Sequence, residues 1–208
     1  ANFPKAVPLL AKELEISGAV CYERDILYVH RYLRDHSIIP MMMVSAVGSF
    51  TQNQWMRIPV FQAEKIEPLG DKTVPDWRIL AIDLETYAVK KEIDPKNNPI
   101  LMAALYGIKE GKEFRKVSTW KKASLPDYVE IVDDEAQLLT RLKELILEYN
   151  PDMMTGYFSD GFDLPYIKTR AEKHKVRFDL GVDHSEIISN SSGFGDTESK
   201  IKGILHLD

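Results

Sequence analysis

Arg78-Ile-Leu-Ala-Ile-Asp-Leu-Glu-Thr86 is the stretch on which the fold turns. Ile79 to Ile82 form a short apolar run of the kind that fills a buried strand. Side chains alternate faces along a strand, so Asp83 and Glu85 point the same way. Two carboxylates side by side repel each other, by about 4 kcal/mol at roughly 4 Å for an effective dielectric near 20. A hard divalent cation, Mg²⁺ or Mn²⁺, is the natural compensation, because such ions favour oxygen ligands. Spacing alone does not decide the matter. Asp133-Asp-Glu135 and Glu92-Ile-Asp94 repeat it without the apolar lead-in.

Downstream, Asp94-Pro-Lys-Asn-Asn-Pro99 reads as a turn-rich loop. Ile100–Tyr106 reads as a second strand, Gly107–Gly111 as a turn, and Glu113–Trp120 as a third strand. Strands joined so closely predict an antiparallel meander. Asp134 is placed to cap a helix, with Gln137 completing a capping box. Leu138, Leu139, Leu142, Leu145, Ile146 and Tyr149 form its apolar stripe, and Asn150-Pro151 ends it. Asp152–Tyr157 reads as a strand and Gly161 to about Lys175 as a helix. Beyond Arg177 the pattern weakens to a loop over Ser189–Gly195 and a strand over Lys200–His206.

Upstream, Val7–Ile16 reads as a helix with Pro8 in its first turn and Ala19–Tyr22 as a short strand. Asp25 is the expected cap of a second helix reaching Asp35, with Ile26, Val29, Tyr32 and Leu33 facing a core. The run Met41–Met43 reads as core filling. Trp55–Val60 and Phe61–Ile66 suggest one or two strands bent at Pro59, and Pro68–Pro75 a linker. The expected domains are therefore 1–75 and 76–208.

With 208 residues and 44% hydrophobic content, the chain can build an ample core. A net charge of −5 excludes a strongly basic coat but not a local nucleic-acid groove. One cysteine, Cys21, rules out an internal disulfide or a thiolate metal cluster. No apolar run reaches membrane-spanning length and no signal peptide opens the chain, so a cytoplasmic protein without a membrane partner is expected. The missing initiator Met suits an excised piece of a larger protein.

Three antiparallel strands, then helix, strand and helix, resemble the ribonuclease-H-like α/β mixed sheet of DEDD-type 3′–5′ exonucleases. Asp83-Leu-Glu85-Thr86 looks like their first motif. Tyr157-Phe-Ser-Asp-Gly-Phe-Asp163-Leu-Pro-Tyr166-Ile looks like the second motif of family B DNA polymerases, and Lys168-Thr-Arg170-Ala171-Glu172 follows in the same style. Gly203-Ile-Leu-His-Leu-Asp208 resembles the strand before the third motif. Ala6-Val-Pro8, Glu23-Arg-Asp25-Ile and Arg31-Tyr-Leu33 through Ile39-Pro40 resemble the end of the smaller α+β N-terminal domain of archaeal members.

The resemblance implies two-metal phosphodiester hydrolysis. Asp83, Glu85 and Asp163 would hold two Mg²⁺ or Mn²⁺ ions about 4 Å apart and trim the frayed 3′ end of a DNA primer. Leu84, Thr86, Tyr157, Phe158 and Phe162 would meet the terminal nucleotides, although Phe162 better suits a helix anchor in the core and Tyr157 reads either way. Val7, Pro8, Tyr28 and Arg31 match by position a pocket that captures uracil in the template strand. The remainder of the polymerase would be a partner. Two departures stand out. Many family B members carry asparagine where this chain has Phe158, and Asp208 precedes the fourth carboxylate rather than supplying it. The chain alone is therefore expected to bind metal weakly and cleave poorly. His184 and His206 are candidate general bases, each also readable as an ordinary surface or strand histidine. The rival readings are a stand-alone DEDD exonuclease and a non-catalytic DNA-binding or scaffolding module.

Overall fold

The computed structural model describes residues 3–40, 42–70, 75–88, 93–191 and 197–208. Met41, Glu92, the middle of the expected linker (71–74) and residues 192–195 of the expected loop lie outside them. Chain contacts define two units. One comprises Ala1–Thr51 with Val60–Pro75, the other Gln52–Pro59 with Asp76–Asp208.

The first unit opens on helix α1, Val7–Ile16, with proline in its first turn as expected. Ala19–Tyr22 is not a strand but irregular chain. Helix α2 is shorter than expected, Tyr28–Asp35, and its N-cap is Leu27 rather than Asp25. Val29 is exposed, so the expected core face is covered only at Ile26, Tyr32 and Leu33. Strand β1, Val44–Thr51, pairs antiparallel with β2, Val60–Pro68, from Thr51↔Val60 to Val44↔Pro68. Trp55–Pro59 is loop, not strand. Asn53 closes a side-chain turn by accepting the Trp55 amide at 2.9 Å, and Pro59 cannot donate to a ladder.

The second unit is built on six strands: β3 (Ile79–Thr86), β4 (Ile100–Lys109), β5 (Lys112–Thr119), β6 (Val129–Ile131), β7 (Met153–Thr155) and β10 (Leu205–Leu207). Their order is β10-β7-β3-β4-β5-β6. The three long strands form the expected antiparallel meander, while β6, β7 and β10 join parallel. Helices α3 (Glu135–Tyr149) and α4 (Asp163–His174) bury one face of this mixed sheet. The α/β mixed sheet expected from the sequence is present.

Leu80, Ile82 and Leu84 of β3 meet Leu138, Leu142 and Ile146 of α3 and Leu164 and Ile167 of α4 in one cluster. Each such side chain contributes about 1.5–3 kcal/mol on burial. Asp134 caps α3 by accepting the Gln137 amide at 2.8 Å. Gln137 reaches back one residue farther than a capping box requires, to the Asp133 amide at 2.6 Å. Asn150 ends the helix in the left-handed conformation, φ 56°.

Gly107 is not in a turn. It lies inside β4, and the reversal falls at Glu110-Gly111. The glycine is needed because Tyr149 stands over it. A Cβ there would lie 2.5 Å from the Tyr149 hydroxyl, which donates to the carbonyls of Ile79 (2.8 Å) and Ile108 (2.9 Å).

The C-terminal region is more regular than its sequence suggests. Ile188–Ser191 is strand β8 and pairs antiparallel with β9, Thr197–Lys200. The expected loop thus begins inside a strand, and the expected single strand over 200–206 is broken by a turn at 201–204 before β10.

Candidate active site

Strand β3 lies inside the sheet, yet only its first half is paired on both sides. Ile79–Ala81 pair with Met153–Thr155 of β7. At Gly156 the chain leaves the sheet, so the edge of β3 at Asp83 and Glu85 is open on that side. The departing chain turns over residues 156–162 and enters α4 at Asp163. Open crevices at the carboxyl ends of parallel strands are where α/β folds place ligands.

Asp83 and Glu85 are exposed, and Leu84 between them is 7% exposed in the core. Across the ladder they face Ala104 and Met102, neither of which carries a charge. A register shift between Glu85 and Thr86 bends the strand end, as bulges beside sites often do. Asp163 is only 3% exposed, and its Oδ1 has no hydrogen-bond partner among the described residues. Burial, then the charge of Asp83 and more weakly that of Asp208, push its carboxyl up to about 6. Its own amide and that of Leu84 oppose the shift without cancelling it. Ionised Asp163 therefore carries an unmet cost of about 3 kcal/mol at neutral pH, at 1.36 kcal/mol per unit.

Asp83 and Asp163 are thus brought together, while Glu85 stands one pleat farther along β3. Among the described residues, no three acidic, histidine or cysteine side chains converge tightly enough to hold an ion as they stand. The donor chemistry fits a hard divalent cation nonetheless: two strand carboxylates, plus a buried carboxylate with an orphaned oxygen and, among the described residues, no compensating positive charge.

The expected nucleotide contacts divide. Tyr157 is 95% and Phe158 63% exposed. Phe158 has φ 56°, a region disfavoured for a bulky residue but tolerated by asparagine. Its ring lies over Gly161, where any Cβ would overlap it. Phe162 is half-buried, its ring 5.1 Å from that of Tyr166, and packs on the core. The Tyr166 hydroxyl donates to the Asn98 carbonyl at 2.9 Å and also meets the Thr86 side chain. Thr86 therefore braces α4 against the end of β3. The Leu84 side chain belongs to the core, and its backbone amide is what reaches Asp163.

Sequence reasoning missed two polar clusters. Glu135 and Arg170, both buried, form a two-pronged ion pair. Glu135 also accepts the Ile100 amide at 2.8 Å and faces His174 Nε2 at 2.8 Å. Burial alone would raise the Glu135 carboxyl, but the Arg170 fork, the Ile100 amide and His174 hold it below its ordinary value. Arg170 lies two turns after Asp163 on the buried face of α4, so this pair sets the depth of the helix. The second cluster surrounds His206. Its Nδ1 is 2.8 Å from Asp160 Oδ1 and its Nε2 2.8 Å from Ser159 Oγ. Both ring nitrogens are engaged, so His206 is a structural strand histidine rather than an available base. His184 faces Asp179 at 3.8 Å. The pairing of Glu135 with Arg170 has no local sequence signal. His206-x-Asp208 did offer one, in a polar residue on a strand and another just past its end.

The family model described as DNA polymerase family B, exonuclease domain, matches residues 19–208. The chain belongs to that family. A DNA polymerase of Methanocaldococcus jannaschii is 33% identical over 210 residues, covering 100% of this chain and 11% of the relative. One from Pyrococcus glycovorans is 35% identical, covering 99% of this chain and 22% of the relative. The chain therefore spans a minor part of the relatives it matches. The solved family B DNA polymerase of Pyrobaculum calidifontis shares the fold, with TM-score 0.75 at 24% identity over 100% of this chain and 25% of that one.

In this family B chain the residues expected at a uracil pocket occupy α1 and α2. Val7 is half-buried, Pro8 exposed and Tyr28 62% exposed. Arg31 bonds Asp35 at 3.1 Å and Glu23 at 3.3 Å. Among the described residues no helix is long and apolar enough to cross a membrane.

Proposed function

We propose that this chain supplies the proofreading 3′–5′ exonuclease of a DNA-directed DNA polymerase, removing the terminal nucleotide from a frayed or single-stranded 3′ end. The observation that carries this reading is the buried Asp163 carboxyl, raised to about 6 beside Asp83 with one oxygen unpartnered. Asp83, Glu85 and Asp163 would hold two Mg²⁺ or Mn²⁺ ions, which when bound supply an activated water and charge stabilisation at the leaving 3′ oxygen. The Leu84 amide lies where it favours ionised Asp163, and the Tyr166 hydroxyl of α4, bonded to the Asn98 carbonyl, lies beside Thr86 of β3. Tyr157 and Phe158 offer exposed rings on which unpaired bases can stack, worth about 1–3 kcal/mol per base.

Titration of Mn²⁺ into the chain and into Asp83→Ala, with 3′-labelled single-stranded DNA present, tests the reading. Binding lost in the variant supports it, and identical isotherms refute it. Phe158 favours a second reading, a DNA-binding module with little hydrolysis. In the full-length protein, Asp83-dependent metal binding without cleavage, even after Phe158→Asn, would select that reading.

Residues 1–75 are proposed as part of the polymerase N-terminal domain. Recognition of template uracil there would need Tyr28 as the base-facing ring and Arg31 released from Asp35. Equal affinity for uracil- and thymine-containing strands, with and without Tyr28→Ala, would exclude it.

A further inference from the structure

Asp160, His206 and Ser159 reproduce in outline the order of a hydrolytic Asp-His-Ser triad. Ser159 is 0% exposed and the His206 side chain 5%, so no substrate can reach the hydroxyl. The arrangement has a different target. Helix α4 begins without a side-chain cap, since its N-cap is Phe162. The loop before it contains Phe158 in the left-handed region, which the surrounding structure must enforce. Ser159 is the junction. Its carbonyl accepts the Leu164 amide of the first helical turn at 3.0 Å. Its own amide donates to Asp208 Oδ1 at 2.6 Å, and its hydroxyl contacts both that atom, at 3.1 Å, and His206 Nε2. Asp160 is held from the other side. Its Oδ1 accepts from the Ser199 amide at 3.0 Å and faces His206 Nδ1, and its carbonyl accepts the Ser199 hydroxyl at 3.1 Å. A carboxylate only accepts, so Nδ1 carries the proton.

We infer that His206, with Ser159 and Asp160, forms a bracket tying the 156–162 loop to β9 and β10, and that these are positioning residues that hold Asp163 toward Asp83. The inference rests on the exonuclease reading for its consequence, not for its geometry. Outer residues that orient ligands typically change metal affinity by roughly tenfold to hundredfold when removed.

The test uses the 208-residue chain, Mn²⁺ titration and amide hydrogen exchange. His206→Ala is expected to weaken Mn²⁺ binding by roughly tenfold or more and to speed exchange across residues 156–163, with α3 protection unchanged. His206→Asn, which keeps an N–H toward Asp160, is expected to recover most of both. Should His206→Ala fail to fold, Ser159→Ala removes the bridging hydroxyl alone and is expected to act in the same direction. Unchanged affinity with unchanged loop exchange would overturn the bracket, as would equal loss of protection in α3. If the unmodified chain shows no Asp83-dependent Mn²⁺ binding, the exonuclease reading fails, and the loop exchange still decides the bracket.

Discussion

Replacing Asp163 by asparagine should stabilise this protein at alkaline pH relative to acidic pH, in metal-free buffer. The Asp163 carboxyl sits at about 6 because it is buried and faces Asp83, against an ordinary value of 3.8. A raised carboxyl binds its proton more tightly in the folded state, so folding is penalised above the folded value and relieved as pH falls. Two linkage terms give about 3 kcal/mol of penalty at pH 8 and about 1 kcal/mol at pH 4.5. The substituted asparagine does not titrate. Any cost of its amide lacking a partner is present at both pH values and cancels in the difference. The stability gap between variant and parent should thus widen by about 2 kcal/mol from pH 4.5 to pH 8. Urea titration followed by tryptophan fluorescence measures it, since all three tryptophans, Trp55, Trp77 and Trp120, lie in the second unit. A gap independent of pH would refute the claim that Asp163 stores electrostatic strain. The same variant should lose Mn²⁺ binding, so stability and site function move in opposite directions.

Arg170→Met should cost about 3–5 kcal/mol, because it leaves the buried Glu135 carboxylate without its cation; a loss below 1 kcal/mol by urea titration would mean Glu135 finds another partner. Phe158→Asn should stabilise the fold by about 1 kcal/mol through the left-handed backbone at that position, read as a shift in the urea midpoint. Gly161→Ala should destabilise it, and Phe158→Ala in the same chain should restore most of the loss, as a double-mutant cycle would show. The Arg78 side-chain bond holds Asp152 below its ordinary value, so that contribution is complete above the unfolded carboxylate range and fades as pH falls below it. Asp152→Asn should therefore flatten the acid limb of the stability profile, and an unchanged limb would show that solvent screens the pair.

The second unit was legible because its signals are local. The run Ile79–Ile82, the stripe from Leu138 to Tyr149 and the Asp134 cap each fix an element within a dozen residues, and the structure contains all three. Gly107 misled because its reason is distant. It is glycine for the sake of Tyr149, which arrives from another helix. The first unit was harder. Strand β1 has exposed residues along both faces up to Thr51, so no alternation marks it. Ser189–Ser191 likewise looks like loop by composition and becomes strand only through its partner β9.

Sequence motifs supplied the acids, but not what makes them a site. Asp83 and Glu85 are exposed carboxylates on a strand, as Glu198 and Glu67 are. Asp163 is different because the fold buries it with no cation beside it among the described residues. That burial depends on three anchors along α4: Ser159 at the entry, Tyr166 with Thr86 one turn in, and Arg170 with Glu135 two turns in. None of the anchors is itself a metal-ligand candidate, and all three use residues far apart in the chain. If the anchors define the site, loosening either end of α4 should weaken metal binding while loosening α3 at Tyr149 should not. Tyr149→Phe, which loses two backbone bonds at a cost of about 1 kcal/mol, is the matching control. Equal Mn²⁺ affinity in Tyr149→Phe, against reduced affinity in His206→Ala and Arg170→Met, would separate positioning from general stability. A uniform decline in all three would show that the carboxylates respond only to how well the unit folds.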